Sequence, residues 1–150
     1  MELSRMFNKP ESEVLMWTEG FRKTAASLGL PFGRSTITFN TRMAQELSLW
    51  AKQEGKGHEF HKATFKKGLG EGKNIALREV LLDIVESVGL STDDAIEVME
   101  KGLFKEAVDK EWEEARSSSI NAVPTMISGN SRLVGAKSYE EILGLVEGNI

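Results

Sequence analysis

The 150-residue sequence contains no cysteine, only three prolines and a single tyrosine. Without cysteine, this polypeptide cannot form a disulfide framework, a thiolate metal site or a thiol nucleophile. It also lacks any apolar run approaching the roughly 20 residues that span a bilayer, so we expect no membrane partner. Met1–Arg5 has no apolar core of the kind found in secretory signals, which predicts a cytoplasmic location.

Positive charge is not in excess. Lys and Arg number 19 against 23 for Asp and Glu, which gives a formal charge of -4. A nucleic-acid surface needs a clustered basic face, so we expect no nucleic-acid partner and interpret the basic cluster at Lys62, Lys66, Lys67 and Lys73 as a solvated rim. With 28% charged and 40% hydrophobic residues, the chain is predicted to be one globular domain over residues 1–150.

Apolar residues recur at three to four positions over most of the chain, which predicts a mostly helical protein. The predicted helices run from Pro10 to Gly29, from Asn40 or Thr41 to Gly55, from about His58 to Lys67, from after Asn74 to Gly89, and from Ser91 or Thr92 towards Ser117-Ser118-Ser119. Ser138 and Glu141 have the spacing of a capping box and predict one further helix, which carries Ile142, Leu145 and Val146.

The segment 120–136 predicts a loop followed by a hairpin. Pro124 has no N–H to give to a sheet, so it suits the first residue of a strand. Gly129-Asn130 predicts a tight turn with positive backbone angles, and strands are expected on either side. These residues alone are also explained by a purely structural role, in which Pro124 belongs to a rigid loop that starts an edge strand.

A lone two-stranded hairpin is marginally stable, because its open edges still need partners. Ser35–Phe39 is the only other strand-like segment. We therefore expect that this segment, a second copy of the chain or a further part of a larger protein completes the sheet.

Other chemistry-bearing patterns favour structural interpretations. His58 and His61 are three apart, whereas a zinc helix needs histidines four apart, and no metal site is predicted. Gly68-x-Gly70-x-Gly72-Lys73 follows a helix and ends in Asn74, so it predicts a flexible interhelical turn instead of a phosphate cradle. The three serines at 117–119 have no evident base. Core packing is expected for Trp17, Trp50 and Trp112, and no catalytic residue or cofactor is predicted.

Several short segments occur in an order that covers nearly the whole chain. They are Asn40-Thr41-x-x-Ala44, Trp50-Ala51, Phe65 through Gly72-x-Asn74-Ile75, Val80-Leu81, Val88-Gly89-Leu90, Ala122-Val123-Pro124-Thr125 and Val134-Gly135-Ala136. In this order they resemble the DsbA-like group of thioredoxin folds, and within it the FrnE-like oxidoreductases. Gln45 departs from the pattern, since that family often has histidine there.

The resemblance implies an α/β, mostly α fold in which about residues 8–119 are a large helical insertion and 120–150 are the cis-proline loop, hairpin and last helix. The family's N-terminal strand-helix-strand unit, which carries Cys-x-x-Cys, is expected to be missing. Pro124 would be the cis-proline. The substrate-binding residues would be Val123, Pro124 and Thr125, with the backbone of Val123 pairing with a peptide or thiol substrate.

The resemblance therefore predicts part of a thiol-disulfide oxidoreductase that is redox-inactive by itself. Two alternatives stay open. One is a glutathione-binding protein similar to kappa-type transferases and 2-hydroxychromene-2-carboxylate isomerases, which share this topology and do not need Cys-x-x-Cys. The other is a non-enzymatic interaction module that forms a homodimer through the hairpin edge.

Overall fold

The computed structural model describes residues 1–33 and 35–149. The chain divides into two compact units, Met1–Val108 and Asp109–Ile150. Within the described residues the helices are α1 (Leu3–Phe7), α2 (Glu11–Ser27), α3 (Arg42–Gln53), α4 (Gly57–Phe65), α5 (Arg78–Ser87), α6 (Thr92–Lys101), α7 (Lys105–Ser117) and α8 (Tyr139–Glu147), and the strands are β1 (Thr125–Ser128) and β2 (Ser131–Val134). Apart from the short α1, each helix lies within a stretch that was predicted to be helical. The single helix predicted from Ser91 or Thr92 to the three serines is wrong in one respect: it is two helices, α6 and α7, because Gly102 takes a left-handed φ of 59° and ends α6.

The core of the first unit is formed by α3, α4, α5 and α6. In α3 the apolar residues are three or four apart, so they share one face, and α5 has the same pattern. Phe60 of α4 is fully buried between these faces. The buried core residues are Ala44, Leu47, Trp50, Ala51, Phe60, Leu81, Ile84, Val85, Ala95 and Val98. Burying side chains of this size contributes about 1.5–3 kcal/mol each, which explains why these four helices pack together.

One carboxylate is buried beside this core. Glu46 is only 5% exposed, and its Oε1 accepts a hydrogen bond from Arg42 Nε at 3.1 Å. Arg42 Nη2 also donates to the carbonyl of Lys105 at 3.2 Å. Because a buried charge must be paired, Arg42 neutralises Glu46 and at the same time joins α3 to the first residue of α7.

The glycine segment after α4 differs from the prediction of a flexible turn. Lys66–Gly70 continues the helix as a π-helical turn, and the loop before α3 packs closely on it. Gly33 N–H donates to the carbonyl of Leu69 at 2.6 Å, and a Cβ at Gly70 would lie 3.1 Å from Pro31 Cγ. Gly33 and Gly70 are therefore explained by close packing, which a larger side chain would obstruct, whereas Gly72 has a positive φ of 67° and open space around it.

The second unit contains the predicted hairpin. β1 and β2 pair antiparallel with Thr125 opposite Val134 and Ser128 opposite Ser131. The turn differs slightly from the expectation, because Gly129 has a positive φ of 58° and Asn130 does not. A single positive φ at the first turn residue is the pattern of a type II′ turn, which matches the twist of the strands.

Helix α8 packs on both strands of the hairpin. It begins with the predicted capping box: Ser138 Oγ accepts from Glu141 N–H at 3.2 Å, and Glu141 Oε2 accepts from Ser138 N–H at 2.9 Å. Leu145 is the residue of α8 that is buried. The hairpin thus has one face covered by a helix with a well-defined start.

The extra strand expected at Ser35–Phe39 does not join this sheet. Within the described residues the sheet has two strands, β1 and β2, while Ile37 forms an isolated antiparallel bridge with Glu2. The backbone of this segment therefore forms hydrogen bonds with the start of the chain: Leu3 N–H donates to the carbonyl of Thr36 at 2.8 Å. The prediction of one domain over residues 1–150 stays a prediction.

The prediction that all three tryptophans pack in the core is correct for Trp50 and wrong for Trp17 and Trp112. Trp50 is 6% exposed, whereas Trp17 and Trp112 are each 38% exposed. Trp17 lies on α2, which packs mainly on the five-residue α1 and contacts Phe7 edge to face at 5.9 Å. Trp112 lies on α7, where Val108 is the residue that is buried. Apolar spacing identified these helix faces but not whether another helix covers them.

No helix within residues 1–33 and 35–149 combines the length and apolar character required to cross a bilayer.

The capping box predicts a pH dependence of stability. The pKa of Glu141 is lowered, first by the backbone hydrogen bond from Ser138 and then by the hydrogen bond from Lys137. A folded-state pKa below the unfolded value stabilises the fold above the unfolded pKa, and this contribution disappears as pH falls through the folded pKa. We expect the urea midpoint of wild type to exceed that of Glu141→Gln at about pH 6–7, with a difference that shrinks below about pH 4.

Glu140→Gln is the matched control for this experiment, since Glu140 is also in the first turn of α8 but does not form the capping box. Its midpoint should follow that of wild type more closely across the pH range. Parallel curves for wild type and Glu141→Gln would contradict the assigned role of the carboxylate.

Candidate functional site

The predicted substrate loop begins where α7 ends. Helix α7 stops at Ser117, as the three serines predicted, and Ser119 has a left-handed φ of 53°. Ile120 N–H donates back to the carbonyl of Ala115 at 2.9 Å. This closes the helix and turns the chain away from its axis, as in other left-handed helix ends.

Arg132 of β2 holds the start of the loop. Its Nη2 donates to the carbonyl of Ser118 at 3.0 Å and its Nη1 to the carbonyl of Ser119 at 3.2 Å. The last carbonyls of a helix need donors from outside the helix, and the planar guanidinium supplies two from one side chain. Arg132 therefore ties the end of α7 to the hairpin.

Two further hydrogen bonds hold the other end of the loop. The carbonyl of Pro124 accepts from Gly135 N–H at 2.8 Å, which extends the pairing of the hairpin by one step. Thr125 Oγ1 donates to the carbonyl of Ala122 at 2.6 Å. The Val123-Pro124 peptide bond is cis, in agreement with what the resemblance implied. Pro124 thus lies directly before β1, at the position expected for a residue without an N–H.

Val123 is the most exposed apolar residue of the loop. Its side chain is 87% exposed, and no hydrogen bond joins its N–H or its carbonyl to another group in the described part of the chain. The flanking residues Ala122, Pro124 and Thr125 all take part in hydrogen bonds. A residue with a free backbone donor and acceptor between fixed neighbours is suited to pair with an extended peptide backbone.

The loop offers binding groups but no acid or base. Residues 120–125 are Ile, Asn, Ala, Val, Pro and Thr, so none of their side chains is ionisable near neutral pH. General acid-base chemistry needs such a group within hydrogen-bonding reach. The loop can therefore orient a substrate but cannot itself move a proton.

Sequence comparison identifies the family. The model of the DSBA-like thioredoxin domain matches residues 6–147. The chain belongs to this family. The FrnE-like subgroup stays a prediction.

Two relatives give the scale of the match. The uncharacterized protein YwbO of Bacillus subtilis is 29% identical over 131 residues, which covers 83% of this chain and 64% of the relative. The crystal structure of the probable DsbA oxidoreductase SCO1869 from Streptomyces coelicolor has a TM-score of 0.87 at 17% identity, over 99% of this chain and 66% of that one. The chain thus spans about two thirds of the length of these two relatives, and the predicted DsbA-like fold, mostly helical with a C-terminal hairpin and helix, is confirmed.

The structure places the three predicted site residues in one continuous surface segment. Val123, Pro124 and Thr125 occupy the loop and the first position of β1. In α4 the two histidines are exposed, and Phe60 between them is buried. Within the described residues no group of three or more His, Asp or Glu side chains could hold a metal ion.

Arg132 was not recognised from the sequence, although it fixes the loop. One signal was available: a helix that ends in three serines leaves carbonyls without intrahelical donors, and an arginine on the adjacent strand can supply them. Gln45 occupies the position where the family often has histidine. In this chain its Nε2 donates a hydrogen bond to Thr41 Oγ1 at 3.0 Å, at the start of α3.

Proposed function

We propose that the loop Val123-Pro124-Thr125 binds an extended peptide or thiol substrate, as the substrate-binding part of a DsbA-like thiol-disulfide exchange protein of the FrnE-like kind. The observation that carries the proposal is Val123, which is 87% exposed and has a free N–H and carbonyl between residues that are fixed by Arg132, Gly135 and Thr125. Membership of the DSBA-like family supports the same role.

The reaction of such proteins separates binding from electron transfer. In thiol-disulfide exchange, a thiolate attacks one sulfur of a disulfide, a mixed disulfide forms, and the other sulfur leaves as a thiolate. The polypeptide of 150 residues has no cysteine, so it can supply neither the attacking nor the resolving thiolate. Its contribution to the exchange is to hold the substrate chain in an extended conformation beside the reacting sulfurs.

The first test is redox activity of the chain alone. With dithiothreitol as reductant, we expect insulin reduction in the presence of the 150-residue polypeptide to proceed at the rate of the protein-free blank, because no protein thiolate can relay the electrons. The measurement is turbidity from precipitating insulin chains. A rate above the blank would show that a group other than a thiol carries the reaction and would refute the proposed division of roles.

The second test is backbone pairing at Val123. We expect reduced and alkylated insulin B chain, an unfolded peptide without free thiols, to perturb the amide resonances around Val123. Val123→Pro removes the N–H and should weaken this binding at least about fivefold, the loss of one or more backbone hydrogen bonds. Val123→Thr keeps the N–H and the branched side chain, and should bind within about twofold of wild type.

Both variants change a side chain that is already exposed, so circular dichroism should report an intact fold in each. Equal binding by wild type and Val123→Pro would show that the loop backbone does not pair with the substrate. Saturable binding of glutathione in a calorimetric titration, without any effect of the B chain, would instead favour the glutathione-binding alternative.

The open hairpin supports a second proposal about partners. In the described part of the chain the sheet has two strands, and the edges of so small a sheet attract further strands. We propose that a second copy of the chain, or a further segment of a longer protein, adds a strand there. For the isolated chain the expected state is a homodimer; sedimentation equilibrium that shows only the 16.6 kDa species at high concentration would contradict it.

A cytoplasmic location is likewise proposed. Fractionation of cells that express the gene, followed by detection of the chain, would test it.

A further inference from the structure

The first unit contains an aromatic groove that the Pro124 loop does not explain. Phe21, Phe32, Phe65, Leu69 and Ile75 form much of its wall, and its volume is about 600 Å³. The rings of Phe21 and Phe32 lie 6.4 Å apart. Small-molecule sites are typically concave, mostly apolar and roughly 300–1,000 Å³ in volume, so the groove has the dimensions of a ligand site.

The wall of the groove is exposed to an unusual degree for large apolar side chains. Phe21 is 62% exposed, Phe65 52% and Leu69 50%. Contiguous exposed apolar surface of this kind marks a binding site more often than isolated apolar residues do. Transfer of the apolar part of a ligand from water to the surface of these rings would therefore stabilise the complex.

Charge narrows the class of occupant. The described residues that line the groove include Lys73 and His61 and no Asp or Glu, although the whole chain has a formal charge of -4. In the described part of the chain, no carboxylate lies within 4 Å of Lys73 Nζ. Both side chains are exposed. Lys73 supplies a positive charge beside an otherwise mostly apolar wall, which is complementary to an anion.

Several hydroxyl and amide groups of the wall are used within the protein. Thr64 Oγ1 donates to the carbonyl of Phe60 at 2.8 Å, Thr18 Oγ1 donates to the carbonyl of Leu15 at 3.0 Å, and Gln45 Nε2 donates to Thr41. Among the described residues of the wall, Lys73 and His61 are the ones with basic side chains. Lys73 is therefore the side chain that can form an ion pair with a charged end of a ligand.

We infer that the aromatic groove binds an amphipathic carboxylate, with its apolar body against Phe21, Phe32 and Phe65 and its carboxylate near Lys73. A single aliphatic or aromatic body fits the apolar wall, and one carboxylate matches Lys73, the one lysine among the described residues that line the groove. This site is independent of the Pro124 loop and does not rest on the function proposed for that loop.

The test uses the 150-residue chain and dodecanoate as the probe, titrated calorimetrically below the concentration at which it forms micelles. Dodecyltrimethylammonium, with the same alkyl chain and the opposite charge, is the matched ligand control. We expect saturable binding of one dodecanoate per chain, at least about fivefold tighter than that of the cation.

Two pairs of variants separate charge from apolar contact. Lys73→Met should weaken dodecanoate binding about two- to fivefold, as expected for an exposed ion pair, while Lys62→Met, an exposed lysine outside the groove, should not. Phe21→Ser should weaken both ligands about tenfold through lost apolar burial, and its control is Met16→Ser on the same helix. Circular dichroism verifies that each variant is folded.

Three results would overturn the inference. The first is the absence of saturable dodecanoate binding, and the second is equal affinity for the anion and the cation. The third is a sedimentation mass of two chains whose association dodecanoate does not disrupt, accompanied by the loss of this association in Phe21→Ser. That result would assign the groove to a second copy of the chain.

Discussion

The burial of Phe60 between α3 and α5 is the interaction on which the first unit depends. Once the apolar faces of α3 and α5 are used on α4 and α6, few apolar surfaces of these helices remain to cover α2. Helix α2 consequently packs mainly on the five-residue α1, and Val14 is the residue of α2 that becomes buried. The exposed rings at the aromatic groove are thus a consequence of how the core is distributed, since the same sequence that completes one core leaves a second apolar surface without a facing helix.

A different constraint governs the second unit. Two strands can satisfy only the hydrogen bonds between them, so the hairpin relies on α8 to cover one face and on Arg132 to secure the preceding loop. The hydrogen bonds from Gly135 to Pro124 and from Thr125 to Ala122 hold the residues on both sides of Val123 while leaving its own backbone free. Rigid flanks favour recognition, because a loop that is already ordered loses less conformational entropy when a peptide pairs with it. This arrangement suits the role proposed for the loop.

Much of this architecture could be predicted from the sequence because the relevant signals are local. The capping box of Ser138 and Glu141, the glycine turn at Gly129 and the proline before β1 each follow from stereochemistry within four residues. The π-helical turn at Lys66–Gly70 could not be predicted in this way, since Gly70 packs against Pro31, more than 30 residues earlier in the chain. The same limit explains Trp17: spacing shows which residues share a helix face, but only tertiary packing decides whether that face is covered.

For the candidate site, the family resemblance and the local residue patterns predicted different parts. Pro124, Val123 and Thr125 could be selected through the family resemblance, yet the reason that the loop is held in place lies with Arg132, which no local pattern selected. A binding site of this type needs geometry more than reactive groups: the loop has no ionisable side chain, and its specificity must come from backbone pairing and from the shape around Val123. Under the proposed function, binding does not need a thiol, because substrate orientation and electron transfer are carried by different atoms. The chain has no cysteine, so of these two requirements of thiol-disulfide exchange the proposal assigns it the first.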